Sequence, residues 1–92
     1  MSIPNGLRQL MKRLDERCLL APLNDLCREY NVTPQDVLGR GQTRRVSEAR
    51  DAFVAQLYRK GFSQAEIAAI LHRDPSGIHA AIARHAVRVA PP

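Results

Sequence analysis

Tryptophan is absent from this chain, and only two phenylalanines and two tyrosines occur among its 92 residues. Its core must therefore be built mainly from leucine, isoleucine, valine and alanine. Leucine and alanine favour helices, whereas strands prefer β-branched and aromatic residues. The strict apolar–polar alternation of a half-buried strand is missing as well. These absences predict an all-α class.

Cysteine is scarce too. Cys18 and Cys27 are the only two, both at apolar positions of predicted helices, where buried free thiols are expected. No apolar run approaches the roughly 20 residues of a membrane span. Arg8, Lys12 and Arg13 interrupt the N-terminal apolar residues, so no secretory signal is visible. The expectation is a cytoplasmic protein with no membrane partner. Catalytic signatures are also wanting: there is no Gly-x-Ser-x-Gly, no Gly-x-x-x-x-Gly-Lys and no pair of acids with a positioned histidine. The two cysteines and the three histidines, His72, His79 and His85, match no metal-ligand spacing. Neither an enzyme, nor a cofactor, nor a metal site is expected.

Acidic residues are in deficit, and unevenly so. Residues 1–39 hold five basic and five acidic side chains, while residues 40–92 hold nine basic and four acidic. The whole net charge of +5 therefore lies in the second part. A one-sided basic balance suggests a polyanionic partner.

What is present is a series of short amphipathic helices, in a length that suits one domain. Leu7, Leu10, Met11, Leu14 and Cys18 form one face of a helix over about 4–18. This stripe is a core face or, alternatively, a homodimer contact. A break near Ala21-Pro22 precedes a helix over 22–30 with Leu23, Leu26, Cys27 and Tyr30 on its apolar side, ended by Asn31. Thr33-Pro34 reads as N-cap and first helical position of a short helix that Gly39 stops. Residues 39–46 form a basic loop. Ser47 then caps a helix ending near Lys60, with Gly61 as its stop. Ala49, Ala52, Phe53, Gln56 and Leu57 mark its inner face, with Gln56 the one polar intrusion and Val54 and Tyr58 flanking. Tyr30 and Tyr58 are placed at core edges.

The informative stretch is 62–86. Ser63 and Glu66 make a capping box, and Phe62 and Ile67 have the spacing of a hydrophobic staple. The helix is short and ends by His72. Asp74-Pro75 is a second cap, after which Ile78, Ile82 and Ala81 face inward. Ala68 and Ala69 permit close approach of the two helices. Two short capped helices around a tight turn match the helix-turn-helix plan, whose second helix opens in the DNA major groove. The residues placed there are Arg73, Pro75, Ser76, Gly77 and His79.

With these features on hand, residues from about 23 to 86 resemble the DNA-binding domain of the bacterial replication initiator DnaA. Four features carry the likeness in order: the helix 22–30 followed by Asn-Val-Thr-Pro-Gln-Asp-Val-Leu, a basic loop, an arginine in the first turn of the next helix, and Arg73-Asp74 opening the last one. The segment Arg44-Arg45-Val46-Ser47-Glu48-Ala49-Arg50 also resembles the DnaA-like tail of some repeat-associated transposases. The resemblance implies a helical bundle with a C-terminal helix-turn-helix, of DnaA C-terminal or Trp-repressor type. It divides the chain into an N-terminal helix at 1–20, a DNA-binding domain at 21–88 and a frayed tail at 89–92. It implies that Arg50 enters the minor groove and that Arg40, Thr43, Arg44 and Arg45 meet the DNA backbone. The family's last helix usually opens Arg-Asp-His-Thr-Thr-Val; here Pro75 and Gly77 stand for the His and one Thr, and Ser76 alone keeps a hydroxyl. The nucleotide-binding domain of an initiator has no counterpart. The expectation is a sequence-specific binder of double-stranded DNA, a transcription regulator or mobile-element module, with a protein-binding adaptor on the same scaffold as the alternative. It requires the cations of the loop and of the last helix to share one surface.

Overall fold

The computed structural model describes residues 5–39 and 43–90. They form six helices and no strand: α1 (Asn5–Glu16), α2 (Leu20–Tyr30), α3 (Pro34–Leu38), α4 (Arg44–Arg59), α5 (Gln64–Leu71) and α6 (Pro75–Val89). The protein is all-α, as its composition predicts.

Four of these helices stop in the same way. Cys18, Asn31, Gly61 and His72 take positive φ, of 58°, 57°, 107° and 53°. In each case the next N–H returns to the carbonyl five residues back: Leu19 to Leu14 at 2.8 Å, Val32 to Cys27 at 2.9 Å, Phe62 to Leu57 at 3.3 Å and Arg73 to Ala68 at 2.9 Å. This is the Schellman ending, which satisfies carbonyls that a helix end would otherwise leave without a donor. Gly61 and Asn31 suit such a position; Cys18 and His72 hold it against a steric cost.

The first of these endings corrects two expectations. Cys18 is exposed and lies past the end of α1, not on its apolar face. The break between α1 and α2 falls at residues 17–19, before Ala21-Pro22. Pro22 is the third residue of α2, where an N–H has no intrahelical acceptor, so proline is tolerated inside the first turn.

Thr33 and Asp36 cap α3 reciprocally. The Asp36 N–H donates to Thr33 Oγ1 at 3.1 Å, and the Thr33 N–H to Asp36 Oδ2 at 3.4 Å. Gly39 ends α3 by donating its N–H to the Gln35 carbonyl at 2.9 Å. A Cβ at this position would stand 2.7 Å from that same oxygen, so the close approach requires glycine.

Helix α4 starts a turn earlier than a Ser47 cap would have it. Thr43 Oγ1 accepts from the Val46 N–H at 3.3 Å, and the Thr43 carbonyl accepts from the Ser47 N–H at 2.9 Å. The extra turn places Val46 in register with Ala49, Phe53 and Leu57, all buried. Burial of one more apolar side chain favours the longer helix. Arg44 and Arg45 thus belong to a helix and not to a loop.

The chain divides into two compact units, 1–49 and 50–92, with the boundary inside α4. In the first, α1 packs on α2 and α3, and α2 packs on α3. Leu10, Leu14, Leu19, Leu23, Cys27 and Val37 are buried there. Because Leu10 and Leu14 are core residues, they are not at the surface to meet a second copy. Burial, with the charge of Asp36 adding to it, pushes the Cys27 thiol above its ordinary pKa, so it behaves as an inert core residue.

In the second unit α5 packs on α6, and Phe53, Leu57, Ile67 and Ile78 are almost fully buried. Ala68 is buried as expected, whereas Ala69 faces solvent, as does Tyr58 at 46% exposure. Tyr58 is therefore a surface residue, not a core edge; Tyr30 is half-buried.

Candidate nucleic-acid interface

The local chemistry of α5 and α6 fixes a short helix, a three-residue turn and a second helix. Ser63 Oγ accepts from the Glu66 N–H at 3.1 Å, and Glu66 Oε1 accepts from the Ser63 N–H at 3.2 Å. His72 closes α5 in the left-handed region and Asp74 opens α6 with Pro75 behind it. Pro75, Ser76, Gly77 and His79 are all exposed. Ile78 and Ala81 are buried, and Ile82 is half-buried, so the helix turns its uncharged first-turn face to solvent.

Ser76 is more constrained than its sequence suggests. Its N–H and its hydroxyl both donate to Asp74 Oδ1, at 2.9 and 2.7 Å. These bonds, the hydroxyl's first, hold the Asp74 carboxyl below the usual range. With its proton on Asp74, the Ser76 hydroxyl offers a partner only an acceptor. In a major groove that suits the amino group of adenine or cytosine rather than an acceptor such as guanine O6.

Arg50 and Arg73, from α4 and from the α5–α6 turn, lie close enough for their charges to oppose each other. Arg50 is half-buried; desolvation, followed by the repulsion of Arg73, lowers its pKa, with Asp51 acting in the opposite direction. Two separate elements thus bring cationic side chains into each other's field.

Arg44 and Arg45 are exposed in the first turn of α4, with Thr43 as its cap. Arg44 is 93% exposed and its Nε lies 3.1 Å from Glu48 Oε1. Such a pair contributes only a few tenths of a kcal/mol. Arg50 stands in the second turn of α4 rather than in its first, because the helix starts earlier than expected. Arg40 lies outside the described residues.

One cluster escaped sequence reasoning altogether. Asp51, not Gln56, is the buried polar residue of α4, at 2% exposure. Arg84 donates to it through Nε and Nη2, both at 3.0 Å, and Arg88 through Nη1 at 2.8 Å. The signal was present as an aspartate beside the apolar residues Ala49, Ala52, Phe53 and Val54 and as two arginines four apart on α6. Only their distance in the chain, 33 and 37 residues, concealed it. His85, on the same helix, has its pKa lowered by desolvation and by Arg59 and Arg88.

Among the described residues no group of three or more His, Cys, Asp or Glu is placed to hold a metal ion, and no helix is long and apolar enough to cross a membrane. Comparison with protein-family models, with curated proteins and with solved structures finds no match to the chain.

Proposed function

We propose that the protein binds double-stranded DNA, with the first turn of α6 facing the major groove, as a transcription regulator or as a module of a mobile element. The observation that carries this reading is the opening of α6. It presents Pro75, Ser76, Gly77 and His79 to solvent, next to the like-charged pair Arg50 and Arg73. Pro75, Ser76 and Gly77 are small enough to allow a duplex to approach closely, while the arginines supply attraction to phosphate. In the DnaA-like reading Arg50 takes the minor groove and Arg44 and Arg45 the backbone.

In-vitro selection from random duplexes, followed by salt titration of the winning sequence, tests the proposal. A recovered motif and a steep loss of affinity with salt are expected, and Arg50→Ala should weaken binding most at A·T-rich flanks. No enrichment, together with no duplex retained at low ionic strength, overturns it. A second reading, a protein-binding adaptor, is favoured by Val87 and Val89, which are 78% and 62% exposed. An apolar interface of that kind would respond little to salt.

A further inference from the structure

Helix α6 carries cations well beyond its first turn. Gly77, Arg84 and Arg88 are spaced seven and four residues apart, so they fall within roughly 20° of one line along the helix. At the rise of an α-helix, Arg84 lies about 10 Å and Arg88 about 17 Å beyond Gly77. The major groove is about 12 Å wide. Gly77 is one edge of the first turn's exposed face, about 100° from Ser76, so on a helix seated by that turn this edge runs on past the groove and long arginine side chains along it reach toward one flanking strand.

Their head groups are fixed in advance. One carboxylate, Asp51, holds both guanidinium groups, at 3.0, 3.0 and 2.8 Å. A single acid balances a single arginine, so the cluster keeps a positive excess. Each guanidinium has five N–H donors; Arg84 gives Asp51 two and Arg88 gives it one, and their side chains remain 54% and 36% exposed. Arg59, exposed in the last turn of α4, adds a third cation eight residues after Asp51. The charges of Arg59 and Arg88 both reach His85.

We infer that Arg84 and Arg88, preset by Asp51, together with the exposed Arg59, form a second phosphodiester-binding site that grips the DNA backbone beside the groove entered by the first turn of α6. The inference rests on the groove-facing reading of that turn. Ordering the arginines on a buried carboxylate removes rotamer entropy before any ligand arrives, so a phosphate meets a prepared fork of donors.

The test is fluorescence anisotropy of the full chain with a short labelled duplex of mixed sequence across a salt series. Non-specific binding reads phosphate contacts directly. Arg59→Gln combined with Arg88→Gln should lower affinity several-fold at low salt and reduce the slope of log K against log salt by roughly two units at most. Arg88→Lys, which keeps the cation, should retain most of that slope. If the double variant loses its helical circular dichroism, Arg59→Gln alone, at an exposed position, should still lower the slope by about one unit. An unchanged slope in a folded Arg59→Gln chain or double variant overturns the second site. If Arg50→Ala weakens binding while these do not, the second site alone falls. If no duplex is retained at low ionic strength, the groove-facing reading falls and takes this inference with it.

Discussion

Arg84 grips Asp51 with two parallel hydrogen bonds, Nε to Oδ2 and Nη2 to Oδ1, each 3.0 Å long. The contact joins α4 to α6 and brings together residues 33 apart in the chain. Because Asp51 is 2% exposed while Arg84 is 54% exposed, the desolvation cost falls on the acid. Arg88 adds a third bond to the same carboxylate, and among the described residues no buried side-chain polar atom lacks a partner.

This asymmetry sets an order among substitutions. Arg84→Ala and Arg88→Ala should each cost about 1–2 kcal/mol, because one cation still faces Asp51. The double variant should cost more than the two together, since it strands a buried carboxylate. Adding Asp51→Asn to the double variant should recover part of the loss. Urea unfolding of the four proteins checks the order; strict additivity would show that Asp51 is solvated after either loss.

The glycines divide by the space around them. A Cβ on Gly77 would meet nothing within 4 Å, so Gly77→Ala should stabilise α6 by roughly 0.5–1 kcal/mol. The same methyl would stand on the proposed groove face and should weaken duplex binding. Gly39→Ala should instead destabilise by about 1–3 kcal/mol, because its Cβ meets the Gln35 carbonyl oxygen at 2.7 Å. Thermal melts and anisotropy on both variants check these opposite signs.

Cys18 holds a left-handed conformation that a side chain resists, and its thiol is exposed. Cys18→Gly should raise stability by up to about 1 kcal/mol, the relief of backbone strain exceeding the greater freedom of glycine in the unfolded chain. A chemical-denaturation midpoint that falls would show that Cys18 makes a contact worth more than the strain.

The pH dependence has a definite sign at His85. Desolvation, then Arg59 and Arg88, lower its folded pKa below the ordinary 6.5, so the folded chain binds fewer protons than the unfolded one. Stability from this group is therefore complete above about pH 6.5 and declines as pH falls from there toward the depressed folded value. NMR titration of His85 should give a pKa under that of an unstructured histidine, and Arg59→Gln should raise it. The group also reports the cation cluster without any DNA.

Ser76→Ala should move the Asp74 carboxyl back up toward the ordinary carboxylate value, since the hydroxyl's hydrogen bond is the largest cause of its depression. The folded pKa lies below the unfolded one, so the contribution of Asp74 to stability is present above the unfolded value and lost as pH falls through the folded one. A carboxyl carbon titration of both chains checks the direction; equal midpoints would show that the backbone N–H alone sets it.

Local chemistry was legible in the residues themselves. The N-cap at Thr33, the capping box at Ser63, the Asp74-Pro75 opening of α6 and the stops at Asn31, Gly39 and Gly61 each depend on neighbours a few positions away, which a chain in isolation already displays. So do the helical class and the burial of Phe53, Leu57, Ile67 and Ile78, because periodicity reveals an apolar face. The start of α4 was not legible, since Thr43 and Ser47 are both competent caps and only burial of Val46 chooses between them. Nor was the exposure of Cys18, whose apolar spacing continues past the point where α1 ends. Asp51, Arg84 and Arg88 are ordinary surface charges until α4 and α6 meet. Folding decides such pairs because attraction between charges depends on distance in space, which separation along the chain does not reveal.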